Sequence, residues 1–262
     1  LWVSLSLYAE AEPLAQRALE LVVPATPPAL AADLWSAVAR IYGQRNQQAT
    51  IMASRRAADL FGSLGDALHR GCALHALGSA HAAERDDEAE PVLLEARALL
   101  ERTGRPRLVA MAHGGAALFH AARGRPDDAY RELQAALELH RVAGAEGNVL
   151  SALGSLADGM WMRGDLDRAI RLARDALEQH RQSPFSGRVS QAYAAANLFG
   201  MLVEHRDLAE AQAMGRRLLP ELRELGIAHG WTDHYASWLA RSGSIDSGMP
   251  MSSAMSSRQL SV

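Results

Sequence analysis

Lysine is absent from the chain: all 27 of its basic residues are arginine. That absence excludes a P-loop lysine, a kinase strand lysine and a Schiff-base lysine. ATP hydrolysis, phosphoryl transfer of those kinds and pyridoxal chemistry are not expected from these residues. Cysteine is almost as scarce. The single thiol, Cys72, excludes an internal disulfide framework and any multi-cysteine metal site, and fits a reducing, cytoplasmic setting. Aromatic residues are only 5% of the 262 positions, so much of the 48% hydrophobic content is alanine and leucine, both good helix formers. A large charge imbalance is missing too. The formal charge of −3 gives no electrostatic reason to expect nucleic acid or an acidic membrane as partner. No apolar run approaches the ~20 residues of a membrane span, and prolines break the stretch "LVVPATPPALAA". The opening "LWVSLSLYAE" lacks a basic segment ahead of a long apolar one, so no signal peptide is expected, and the chain reads as a piece of a longer protein.

What is present is helical periodicity. In "RGDLDRAIRLARDALEQHR", Leu166, Ala169, Ile170, Ala173, Ala176 and Leu177 share one face, while Asp167, Arg168, Arg171, Arg174, Asp175 and Glu178 take the other. A narrow stripe so rich in alanine suits a helix lying close to another helix.

The stripe recurs. Steps of forty residues join Ala49, Ala89, Ala129 and Ala169, and a step of forty-two reaches Ala211. The same register joins Gly104 with Gly144, Gly124 with Gly164, Ala136 with Ala176 and His140 with His180. Within the preceding helix it joins Ala32, Cys72, Ala112, Ala152 and Ala194. Each unit reads as two helices. An Asp after an Arg/Gly turn is placed to cap the second helix, and a glycine ends it. The expected pairs cover 1–23, 30–64, 66–103, 106–143, 146–182 and 188–225, with one more helix at 227–240. The loops "PATPPA" (24–29) and "QSPFSG" (182–187) interrupt the array, and 242–262, rich in Ser, Gly and Met, is expected to be disordered. The expected domains are thus a repeat array at 1–241 and a tail at 242–262. A two-helix unit cannot bury its apolar face alone, so units must stack.

Ala117 or Ala157 in the first helix, the turn "RG(R/D)", Ala129 or Ala169 early in the second, and Ala136 or Ala176 seven later resemble the tetratricopeptide pattern. The forty-residue unit is similar to the C-terminal arrays of large bacterial signal-transduction ATPases, including those with a winged-helix domain and their LuxR-like relatives. The segment "LLPELRELGIAHGWTDHYASWLARSG" is similar to the end of such an array. The resemblance implies an all-α, α-α superhelix of about six helix-turn-helix units, with first helices lining a concave face. Projected on those helices, it points to His75, Met111, Ser151, Ser155, Asp158, Tyr193 and Asn197 as groove residues. Asp158, a charge within the apolar "SLADGMW", stands out, with exposure at a groove wall as its simplest explanation. The two-basic, two-Asn carboxylate clamp of chaperone-type arrays is not reproduced, since Asn197 is alone.

Two sets of residues invite an enzymatic or metal reading. Asp86, Asp87 and Glu90 in "RDDEAE" resemble the magnesium–diphosphate motif of terpene cyclases. Acids recur in the same register at Asp127, Asp128, Asp165, Asp167 and Asp207, which favours helix capping instead. His69, His75 and His81, six apart, spread around a helix; His113 and His120 share a face but lack a nearby carboxylate; His140 and His180 lie where a helix C-terminus favours positive charge. Neither H-E-x-x-H nor G-x-S-x-G occurs. The expectation is a non-catalytic domain without cofactor or metal, binding a protein, a peptide or a small effector. It would be part of a regulatory ATPase or transcriptional regulator, with a free-standing scaffold as the alternative.

Overall fold

The computed structural model describes residues 8–20, 22–43 and 46–225. Among these residues there are eleven helices and no strand: α1 (Tyr8–Glu20), α2 (Pro28–Tyr42), α3 (Gln47–Ser63), α4 (Ala67–Ala83), α5 (Ala89–Glu101), α6 (Pro106–Ala122), α7 (Pro126–Val142), α8 (Glu146–Met162), α9 (Leu166–Gln182), α10 (Arg188–His205) and α11 (Leu208–Glu224). The all-α class and the five helix pairs from α2 to α11 match the sequence expectation. Of the pair expected over 1–23, residues 8–20 form one helix, and 1–7 lie outside the described residues. The helix expected at 227–240 and the tail at 242–262 lie outside the described residues.

The helices group into two compact units, divided between Ala145 and Glu146. In the first, α2 packs on α4 and α4 on α6; in the second, α8 packs on α10. The second helices of each pair make no comparable contact with one another. First helices lie side by side while second helices splay, so within each unit the first-helix row is the inner, curved face.

Small residues set the helix spacing. Ala89, Ala129, Ala169 and Ala211 are all completely buried. Ala49 is only partly buried, and the buried small residue at the fourth position of α3 is Thr50, whose hydroxyl donates to the Asn46 and Gly43 carbonyls. A similar one-residue shift affects α4, where Ala73 is buried and Cys72 partly exposed. The steps from Thr50 to Ala89 and from Ala73 to Ala112 are therefore thirty-nine residues rather than forty. Gly78 marks a closer approach still: a Cβ there would lie 2.6 Å from Leu93 Cγ.

The turns after α8 and α10 share one geometry. After α8, Gly164 takes φ +83° and Asp165 N–H donates to the Met160 carbonyl; after α10, Arg206 takes φ +67° and Asp207 N–H donates to the Leu202 carbonyl. Left-handed backbone after a helix is where glycine is favoured, so Arg206 holds a conformation that costs an L residue energy. Capping differs from expectation. Asn46 and Asp66 do accept from backbone N–H groups at the starts of α3 and α4. Asp165 and Asp207 occupy N-cap positions without a side-chain cap bond, and Asp165 pairs instead with Arg168. Exposed carboxylates there still suit the positive end of the helix dipole.

Two substitutions test this packing. Ala169→Trp should overpack its crossing and lower the unfolding free energy by ~1–3 kcal/mol; a neutral urea-denaturation result would contradict the assigned register. Arg206→Gly should raise stability by about 1 kcal/mol by removing left-handed strain, read in the same assay.

Candidate functional site

The inner face of the second unit is built from α8 and α10. Ser151 and Tyr193 are each the sixth residue of their helix, and Ser155 and Asn197 each the tenth, so the two pairs sit at matching levels. Asp158 follows one turn after Ser155. Its carboxylate is buried, at 7% exposure, and Oδ2 accepts a 2.9 Å hydrogen bond from Asn197 Nδ2. Exposure at a groove wall is thus corrected: Asp158 is an internal carboxyl group whose amide partner ties α8 to α10. An ionised carboxylate removed from water needs such partners to hold its place.

The remaining residues are less tightly joined. Ser151 is exposed and its hydroxyl turns back to the Gly147 carbonyl. Ser155 is buried and donates to the Ser151 carbonyl. Tyr193 is partly buried against the core that includes Phe199 and Met201. His75 and Met111 lie on the first unit's inner helices, both partly buried. Sequence reasoning missed Trp161, which donates its indole N–H to Glu204 at 2.8 Å. Trp161 stands three residues after Asp158 and Glu204 seven after Asn197, so helical spacing alone could have linked the four.

The acidic cluster is dispersed among separate partners. Asp86 accepts from His81 Nδ1 and from the Glu88 N–H, Asp87 pairs with Arg123, and Glu90 is exposed. Arg55 donates to the other nitrogen of His81, making the imidazole a bridge between α3 and the start of α5. His113 meets Glu132 at 2.5 Å, and Arg97 also reaches Glu132. Among the described residues, no three His, Cys, Asp or Glu side chains are arranged to hold a metal ion.

His140 and His180 overturn a second expectation. Neither offers an exposed positive charge at a helix end. Each is buried, at 8% and 4% exposure, at the fifteenth position of its helix, where α3 has Phe61 and α11 has Leu222. Burial pushes both imidazoles below their ordinary pKa, with the Arg107 charge adding to the effect at His140.

Residues 108–182 match the Tetratricopeptide repeat family. Solved structures extend it as similarity of fold. A Rap protein complexed with Competence and Sporulation Factor has a TM-score of 0.66 and 14% identity, over 92% of this chain and 70% of that one. BtubC (BKLC) from P. vanneervenii has a TM-score of 0.52 and 19% identity, over 82% of each chain. The apo form of RapI has a TM-score of 0.52 and 14% identity, over 90% of each. No curated protein matches the sequence. The tetratricopeptide-like helical fold is thus shared with these proteins. No described helix is long and apolar enough to cross a membrane.

Two outcomes check the site. Asn197→Asp would set a second carboxylate beside Asp158 and should cost about 3 kcal/mol at neutral pH, with part recovered on acidification as the pair takes up a proton. His140→Leu should flatten the acid limb of the stability profile. The folded state holds His140 neutral, so its contribution is complete above the unfolded value of about 6.5 and is lost as pH falls below it. The variant should therefore gain more over the parent near pH 5 than near pH 7.5, as judged by melting temperature.

Proposed function

We propose that the chain is a non-catalytic, peptide- or protein-binding repeat domain, acting through the inner faces of its first helices. The observation that carries this reading is the first-helix row itself. Such a row is formed by the packing of α2, α4 and α6 in one unit and, separately, by that of α8 and α10 in the other. In the second unit, the buried Asp158 and its partner Asn197, 2.9 Å apart, tie α8 to α10. Tetratricopeptide repeats are interaction scaffolds, and the Rap protein of similar fold was solved in complex with Competence and Sporulation Factor. That complex supports an effector as the ligand class here.

The finer context follows the array's resemblance to regulatory ATPases. The chain has no lysine, so lysine-dependent ATP chemistry would belong to another segment. Ligand binding would shift an attached ATPase between two states, by no more than the ligand's differential affinity for them. Catalysis by Asp86, Asp87 and Glu90 has no support in the geometry, since they face different partners.

Selection from a random peptide library displayed on phage, followed by fluorescence anisotropy on the purified chain, tests the reading. Micromolar binders that protect first-helix amides from exchange are expected. Absence of any saturable binder would overturn it.

A further inference from the structure

A neutral imidazole carries one N–H. The charged ring carries two, and each then needs an acceptor. Three histidines of the first unit have no place for the second. His75, His120 and His140 each have Nδ1 sealed from solvent without a hydrogen-bond partner. A sealed lone pair is tolerated, whereas an orphaned buried N–H is rare and costly. The three rings are therefore held neutral, with the proton on Nε2.

Their neighbours do little to welcome a charge. His75, on α4, rests against α6 where Gly115 has no side chain; a Cβ there would lie 2.8 Å from Nδ1. Leu93 of α5 closes the same contact, and no charged side chain acts on the ring. Burial alone pushes the His75 pKa down to about 4. Burial also lowers that of His140, on α7, and the Arg107 guanidinium of α6 opposes a second positive charge. At His120, near the end of α6, burial and Arg125 outweigh the carboxylates of Asp128, Glu132 and Glu90, and the pKa is again lowered.

The other described histidines are provided for. His69, His81 and His113 each have a carboxylate at Nδ1, from Asp66, Asp86 and Glu132. In the second unit His180 takes the same repeat position as His140, yet Ser186 Oγ lies 2.7 Å from its Nδ1. Burial lowers the His180 pKa too, but the Leu150 carbonyl accepts from the ring and works against that shift. His205 has Asp207 at Nδ1, 3.1 Å away, and Asp167 at Nε2, 2.9 Å away. A second proton on either ring of this unit meets an acceptor.

We propose that the first unit is an acid-opened device: mild acidification parts its helices at the His75, His120 and His140 contacts while the second unit stays folded. The charged rings fit only the open unit, so proton uptake and opening favour one another. Below about pH 6.5 the unfolded chain takes up these protons and the folded unit does not. The stability that the neutral rings contribute is complete above that value and is lost as pH falls below it. His75 alone should lower the unit's folding constant about thirtyfold at pH 5, where ordinary carboxylates are still charged. Repeat arrays open in local units, which confines the loss.

Hydrogen exchange by mass spectrometry on the whole chain, at pH 7.5 and pH 5 with intrinsic rates corrected, reads each helix separately. Protection in α4 to α7 should fall by about thirtyfold or more, with α8 to α11 changed far less. Equal loss in both units, or no loss in the first, would overturn the inference. His75→Leu combined with His140→Leu should hold the first unit's protection at pH 5; α11 already has Leu222 at the position of His140. Loss as large as the parent's in that variant would count against the device. Long-range proton–nitrogen spectra of the parent need no substitution. The three rings should stay neutral until the first unit opens, and their smooth titration near pH 6.5 within the folded unit would contradict the proposal.

Discussion

Everything in the two units depends on how closely neighbouring helices can approach, and buried small side chains set that distance. Ala89, Ala129, Ala169 and Ala211 have no exposed surface, so each second helix meets its neighbours across a methyl group. Dispersion attraction falls off steeply with distance, and short crossings let larger residues such as Leu93, Leu133 and Ile170 interdigitate. Gly71, Gly78 and Gly115 carry the same logic further, each leaving less than a methyl's room against a facing side chain. A few positions, repeated, thereby decide where every other side chain lies.

That spacing sorts the remaining residues into roles. Long apolar side chains fill the layers between pairs. Charged ones staple helices from outside, Arg174 with Glu210 between successive pairs and Arg188 with Glu224 within one pair. Such exposed pairs fix register more than they stabilise. Between the inner helices of the second unit, Asp158 with Asn197 is a buried position of defined polar geometry.

Much of the architecture was legible in the sequence, because alanine at a forty-residue interval is a statement about packing. The pairs from residue 30 onward and the turn glycines were readable for that reason. The slip to Thr50 and Ala73 was hidden, since in an alanine-rich chain a neighbouring alanine, Ala49, mimics the expected match. The cap assignments failed at Asp165 and Asp207 because identity at the N-cap does not fix the carboxylate's rotamer. His140 and His180 were misplaced for a related reason. Their spacing was visible, yet only burial shows that they fill the place of Phe61 and Leu222. At the site, Asp158 and Asn197 were both singled out, whereas their mutual bond needed the packing of α8 on α10. The part played by Gly115 carries no local signal at all.

The central claim is that the inner row of first helices is the binding surface. Hydrogen–deuterium exchange on the chain with and without a selected peptide, resolved by helix, tests it most directly. The account predicts added protection in α4 and α6, or in α8 and α10, with α5, α7, α9 and α11 unchanged. Protection confined to the second helices, or to the loop at 183–187, would contradict it.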